Sequence, residues 1–126
     1  MRILVAEDDA INQKLIVSLL RRLGFADITV ASNGRQAAES YAAREFDIVL
    51  MDIQMPEVDG FEATRLIRET ERSKGRRVPI VACTAHAITG YRERCLAADM
   101  DGYVTKPLSR QKLMETIQSF TSGGVN

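Results

Sequence analysis

The feature that most constrains this fold is an alternation of two apolar rhythms, repeated five times along the chain. Short apolar runs occur at Ile3–Ala6, Ile28–Ala31, Asp47–Met51, Pro79–Thr84 and Gly102–Thr105. Between them, apolar residues recur at helical spacing. In Ala10–Leu23, the residues Ile11, Leu15, Ile16, Leu19, Leu20 and Leu23 make one predicted inner stripe. Gly24 follows and suits a left-handed helix end. Helices are also predicted over Arg35–Arg44 (inner face Ala37, Ala38, Tyr41, Ala42) and Phe61–Ser73 (Phe61, Leu66, Ile67). A fourth covers roughly Ile88–Ala98, and a fifth Arg110–Phe120 (Leu113, Met114, Ile117, Phe120), with Ser109 as its N-cap. Strands alternating with helices argue for an α/β fold, a parallel sheet with helices on both faces. Strands covered on both faces read as continuous apolar runs, as the first, third and fourth do.

The chain has 126 residues, enough for one domain with its own core. It shows no internal repeat. Lys+Arg and Asp+Glu both total 17, so no overall basic field points to nucleic acid. No apolar run approaches the roughly 20 residues of a membrane span. Glu7 comes too early for the apolar segment of a signal peptide. Without a secretory signal, Cys83 and Cys95 read as reduced and buried rather than bridged, and the setting as cytoplasmic. Residues 1–121 read as one domain and 122–126 as a loose tail or the start of a linker. Lys74-Gly75-Arg76-Arg77 reads as a solvated turn before the fourth strand.

The most hydrophobic strand, Ile48-Val49-Leu50-Met51, runs into a carboxylate, Asp52. In open parallel sheets, ligands bind at the carboxyl ends of strands. The first strand ends in Glu7-Asp8-Asp9, the fourth in Thr84 and the fifth in Lys106-Pro107. If these strands are neighbours, one sheet edge gathers acids, a hydroxyl and an amine. Clustered carboxylates repel and push one of their number toward its neutral form. A hard divalent cation such as Mg²⁺ resolves that conflict with oxygen ligands. Asp52 can then act as a nucleophile toward phosphorus, because carboxylates form aspartyl-phosphate intermediates. Lys106 and Thr84 are the residue types that neutralise phosphoryl oxygens.

Four segments in order carry a family resemblance: Glu7-Asp8 after the first strand, "LMDIQMPEVDG" (Leu50–Gly60), "CTAHA" (Cys83–Ala87) and "GYVTKP" (Gly102–Pro107). Together they resemble the receiver domain of two-component response regulators, over essentially the whole chain. The resemblance implies a flavodoxin-like fold with five parallel strands in the order 2-1-3-4-5 and five helices on both faces. It implies Asp52 as phosphoacceptor, Asp8 as a direct Mg²⁺ ligand, Glu7 as an acid acting through water, and Gln54 as a ligand through its backbone carbonyl. It implies that Lys106 pairs with a phosphoryl oxygen, that Thr84 swings its hydroxyl onto the phosphate, and that Tyr103 is the switch aromatic. A cis Lys106-Pro107 bond is also implied, and the changing face would be the fourth helix, fifth strand and fifth helix. The partner would be a histidine kinase or a histidine phosphotransfer domain, docking on the first helix near Asn12 and Gln13. No nucleic-acid or membrane contact and no oligomer is implied. "AEDDAINQ" and "DIQMPEVDG" are similar to receivers attached to hybrid sensor histidine kinases, with Asp9 and Val58 as departures outside the inferred ligands. The alternative is a stand-alone response regulator acting through phosphorylation-controlled protein binding.

Plainer readings compete at several positions. Asp9 and Asp59 read best as N-caps of the first and third helices. His86 is the only histidine, and Mg²⁺ prefers oxygen; by resemblance, His86 and Gln54 flank the site and tune loss of the phosphoryl group. Met51, Met55 and Met114 read as core or pocket-rim packing. An aspartyl phosphatase would place a D-x-D arrangement after the first strand, where this chain has contiguous acids. A flavin-binding module would need a glycine- and hydroxyl-rich phosphate loop there. A degenerate receiver would lack part of the acid, hydroxyl and lysine set.

Overall fold

Each of the five apolar runs forms a strand in the computed structural model, which describes residues 1–85 and 90–122, without the side chains of Tyr91 and Ser122. The strands are β1 (Arg2–Ala6), β2 (Asp27–Ala31), β3 (Ile48–Asp52), β4 (Ile80–Thr84) and β5 (Gly102–Thr105). The α-helices among the described residues are α1 (Ala10–Arg22), α2 (Gly34–Ala43), α3 (Gly60–Lys74), α4 (Tyr91–Ala97) and α5 (Arg110–Ile117). All neighbouring strands pair in parallel, in the order β2-β1-β3-β4-β5. The fold expected from the sequence is therefore the fold observed.

Successive residues of a strand face opposite sides of the sheet. On one side, Ile3, Val5, Ile48, Leu50, Val81 and Cys83 pack with Ile16 and Leu20 of α1 and with Leu113 and Ile117 of α5. On the other, Leu4, Ala6, Val49, Met51, Ile80 and Ala82 pack with residues of α2, α3 and α4, including Tyr41, Ile67 and Cys95. Both cysteines are free and buried, one in each layer. No described helix is long and apolar enough to cross a membrane.

Local signals set the helix ends. Asp9, Asn33, Asp59 and Ser109 accept backbone N–H bonds from Asn12, Gln36, Glu62 and Lys112, capping α1, α2, α3 and α5. After α1, Phe25 N–H donates to Leu20 and Gly24 N–H to Arg21, and Gly24 adopts φ 98°, the left-handed turn expected of it. The basic turn is less free than its sequence suggests. Lys74 donates to the α2 carbonyls of Tyr41 and Ala42, and Arg76 and Arg77 pair with Glu45 and Asp101.

Several inner-face assignments are corrected. Ile11 is 77% exposed and Leu15 44%. Leu15 faces an open groove beside Pro107 and Leu108, whereas Ile16, next to it, packs against the sheet. Ala42 is exposed, and Met114 faces solvent at 41% rather than packing in the core. Asp47 and Pro79 lie just outside their strands; the Asp47 carboxylate accepts the Arg2 N–H at 2.7 Å. The α5 helix ends at Ile117 and continues as a π-helical turn, Gln118–Ser122, whose Phe120 covers Gly102. The start predicted for α4 at Ile88, the pocket-flanking His86 and residues 123–126 of the tail lie outside the described residues.

Gly60 opens α3 directly beneath the end of β3. A Cβ there would lie 2.4 Å from the Asp52 carbonyl oxygen and 2.8 Å from Ile53 Cα, both backbone atoms. Gly60→Ala is therefore expected to lower stability by about 1–3 kcal/mol, the usual cost of overpacking. Urea denaturation checks it; an unchanged midpoint would show that α3 can shift without penalty.

Candidate functional site

The sheet order places β3 between β1 and β4, and it is the order that assembles the site. Ala6 pairs in register with Met51, so Glu7 leaves β1 level with Asp52. Asp52 is opposite Cys83, and Thr84 is opposite Thr105. Lys106 N–H donates to the Thr84 carbonyl at 2.7 Å, tying the ends of β4 and β5 together. The Lys106-Pro107 peptide is cis.

These strand ends bring one amine against buried acids. Lys106 Nζ donates to Glu7 Oε1 at 2.7 Å and lies 3.6 Å from Asp52 Oδ1. Glu7 is only 1% exposed and Asp52 7%, whereas Asp8 is open to solvent. The second Glu7 oxygen accepts the Asp9 N–H at 3.1 Å. Thr84 is buried at the end of β4. Tyr103 is half-buried against the layer formed by α2, α3 and α4. Gln54 is exposed, and the buried side chains of Ile53 and Met55 anchor the chain on either side of it.

The electrostatics are unbalanced. Burial and then the Glu7 charge push the Asp52 carboxyl up to about 7, against the opposing pull of Lys106. Burial draws the Lys106 ammonium down, but the Glu7 hydrogen bond and the Asp52 charge outweigh it and hold the group above its usual value. Beside them, burial pushes the Cys83 thiol up to about 12, so it is a packing group and not a nucleophile. Ligand oxygens of Glu7, Asp8 and Asp52 lie within 4.8 Å of one another. One ammonium does not neutralise three carboxylates, and an all-oxygen donor set suits a hard divalent cation.

Sequence reasoning anticipated Asp8, Asp52, Glu7 and Lys106, and the structure brings these four together. It places Thr84 at the neighbouring strand end and Tyr103 earlier in β5, opposite Ala82. Asp9 and Asp59 are caps, as expected. Gln13, expected only as part of the docking face of α1, also has a structural partner set: its Nε2 donates to the Glu7 carbonyl at 2.5 Å and to Ser32 Oγ at 3.2 Å. A glutamine one helical turn beyond an N-cap carries no local signal of such a bridge.

Comparison with known proteins agrees with this arrangement. Residues 3–118 match the family model of the response regulator receiver domain. The chain is 47% identical over 123 residues to Hybrid signal transduction histidine kinase I of Dictyostelium discoideum, covering 94% of this chain but 7% of that protein. It is 38% identical over 121 residues to the sensor histidine kinase GacS of Pseudomonas protegens, covering 95% of this chain and 13% of that protein. The chain thus spans a small fraction of these relatives. Among solved structures, the receiver domain of the Pseudomonas aeruginosa sensor histidine kinase PA1611, with magnesium coordinated in its active-site cleft, superposes with a TM-score of 0.84 at 44% identity, covering 94% of this chain and 95% of that one. The yeast receiver domain of Ssk1, crystallised with the histidine phosphotransfer protein Ypd1, gives a TM-score of 0.90 at 28% identity, covering 100% of this chain and 92% of that one. The strand-end acids and lysine thus sit in a chain that belongs to the response regulator receiver domain family.

Proposed function

We propose that this domain accepts a phosphoryl group from a phosphohistidine onto Asp52 with Mg²⁺ bound, and passes it on to a histidine phosphotransfer domain in a phosphorelay. The observation that carries this reading is the convergence of Lys106 on Asp52 and Glu7 at the junction of three strand ends, with Asp8 beside them. Likeness to receivers of hybrid histidine kinases supports the relay, and likeness to a receiver crystallised with a phosphotransfer protein supports the partner.

Asp8, Asp52 and the Gln54 carbonyl would hold the cation, with Glu7 farther out. Bound there, Mg²⁺ supplies positive charge against the phosphoryl oxygens. The Asp52 carboxylate attacks phosphorus, its new O–P bond forming as the bond to the histidine nitrogen breaks. The leaving nitrogen keeps the electron pair. Lys106 is within reach of one phosphoryl oxygen and is drawn from Glu7 toward it. The Thr84 hydroxyl meets another. That displacement biases Tyr103 and the face formed by α4, β5 and α5 between two states, with a coupling of about 1–3 kcal/mol.

The exposure of Ile11 and Leu15 fits a docking role. A groove lined by Asn12, Leu15, Ile16, Pro107 and Leu108 opens beside Lys106. An apolar helix of a phosphotransfer domain laid there would present its histidine to Asp52. The setting of such a relay is the cytoplasm.

The test is phosphoryl uptake from acetyl phosphate, read by intact mass spectrometry with Mg²⁺ and with chelator. Uptake of one acid-stable, hydroxylamine-resistant group, or uptake indifferent to Mg²⁺, overturns the reading. Lys106→Ala is expected to leave Mg²⁺ binding largely intact and to slow uptake about 100-fold, the scale of losing one charge-stabilising donor. A wild-type rate in that variant would remove the lysine from the mechanism.

A further inference from the structure

Two loops carry the expected cation ligands: residues 7–9 after β1 and the 53–59 segment between β3 and α3. Neither β2 nor α2 supplies a ligand. Yet both loops are bonded to one segment between them, the end of β2, the short turn at Ser32-Asn33 and the start of α2. Glu7 N–H donates to the Ala31 carbonyl at 3.0 Å. Gln13 Nε2 bridges the Glu7 carbonyl and Ser32 Oγ, at 2.5 and 3.2 Å. Two residues on, Gly34 N–H donates to the Val58 carbonyl at 3.1 Å.

The Val58 end of this chain of contacts is a close approach of backbones. A Cβ on Gly34 would lie 2.3 Å from the Val58 oxygen, 2.7 Å from its Cγ1 and 2.9 Å from its carbonyl carbon. Gly34 is not in the left-handed region, so its backbone conformation does not require glycine. It is the first residue of α2, where alanine favours the helix. The contact with Val58 is what the missing side chain accommodates. Beyond that contact, the loop is strained and self-bound. Val58 N–H donates to Pro56 across Glu57, which adopts φ 66°, a costly turn for a residue with a side chain. Gly60 N–H donates to Ile53 and closes the loop on β3. Gln54 lies between these anchors.

We propose that the β2–α2 turn is a tie bar that fixes the separation of the two ligand-bearing loops, with Gly34 and Gln13 as positioning residues for the cation. This rests on the receiver reading above and deepens it. The tie bar acts on geometry before any phosphoryl group arrives. It therefore sets Mg²⁺ affinity and the Mg²⁺ concentration needed for uptake, and leaves the rate at saturating Mg²⁺ nearly unchanged.

Gly34→Ala tests it in three measurements on one sample. Calorimetric titration with Mg²⁺ is expected to show affinity weakened about tenfold or more, the scale of lost outer-shell support. Acetyl phosphate uptake is expected to recover to near the wild-type rate when Mg²⁺ is raised. In chelator, amide exchange is expected to quicken in residues 53–60 while Leu4 and Val5 in β1 keep wild-type protection. Wild-type Mg²⁺ affinity in the variant, or exchange that rises equally in β1, overturns the tie bar and leaves a packing glycine. Should Gly34→Ala fail to fold, Gln13→Ala cuts the other end without adding atoms. It is expected to weaken Mg²⁺ binding about threefold, the scale of one hydrogen bond, and unchanged affinity there overturns the proposal. A wild-type chain that binds no Mg²⁺ overturns the receiver reading itself. The exchange comparison in chelator then decides the tie bar alone, and unchanged exchange at 53–60 overturns it.

Discussion

Asp52→Asn is expected to abolish phosphoryl uptake and, in chelator at pH 8, to make the folded protein more stable than wild type. The first effect follows from removing the nucleophile: an amide keeps the shape and loses the charge that attacks phosphorus. The second follows from the cost of the charge itself. Buried beside Glu7, the Asp52 carboxyl is raised from 3.8 to about 7 in the fold. The folded chain therefore binds more protons than the unfolded chain between those values. Stability falls as pH rises through that window, and the full penalty is present above about 7. That displacement sets an upper bound of about 4 kcal/mol. Relaxation and water at the site's mouth lower this, and a gain of about 1–3 kcal/mol is expected for the variant. Lys106 remains paired with Glu7 at 2.7 Å, so no cation is stranded. Urea denaturation in chelator at pH 5 and pH 8 reads the difference, which should shrink at the lower pH. Mg²⁺ should stabilise wild type more than the variant. A variant less stable than wild type at pH 8, or one still labelled by acetyl phosphate, contradicts the site as drawn.

The same imbalance explains why much of the site was legible in the sequence. A carboxylate at the tip of an apolar strand is expensive, so Asp52 stands out without any structure. Lys106 and the acids after β1 gain meaning only when their strands are neighbours, and the order 2-1-3-4-5 came from resemblance rather than from periodicity. β1, β3 and β4 were plain because they bury both faces, whereas the edge strands β2 and β5 are only partly covered; strand ends were less plain, and Asp52 itself completes β3. The apolar stripe of α1 misled at Ile11 and Leu15 because hydrophobic spacing identifies a helical face, and cannot say which part of that face is covered. Backbone ties were invisible for a different reason. The Gly34–Val58 contact joins a peptide N–H to a carbonyl across 24 residues, and only the missing Cβ marks it. The buried Arg68 and Glu71 were hidden too, since Arg and Glu on a helix ordinarily face solvent and neither carries a local signal of burial.

Arg68→Met is expected to cost about 3–5 kcal/mol of stability, the scale of breaking a buried ion pair by removing one partner. Arg68 is 6% exposed and spends its donors on four acceptors. Nη1 donates to Glu71 Oε1 and to the Val78 carbonyl, each at 2.8 Å. Nη2 donates to Asp101 Oδ2 at 2.8 Å, and Nε and Nη2 both reach the Asp99 carbonyl. These contacts clamp α3 to the turn after α4 and to the starts of β4 and β5. Methionine keeps the apolar stem but strands the Glu71 charge at 6% exposure, with only Tyr41 and the Val78 N–H to satisfy it. Arg65, three residues earlier on the same helix, makes ion pairs that are just as short with Glu62 and Glu69. They are solvated, so Arg65→Ala is expected to leave the urea midpoint almost where it was. The paired result separates burial from geometry, because the distances are similar and only the surroundings differ. Glu71→Met added to Arg68→Met should cost less than the two separate losses, since no charge is then left behind. The clamp lies at the amino ends of β4 and β5, the edge of the sheet opposite Asp52. The folded fraction of Arg68→Met should therefore take up phosphoryl groups at the wild-type rate. A loss of uptake beyond the loss of folded protein would show that the two edges of the sheet are coupled through α4.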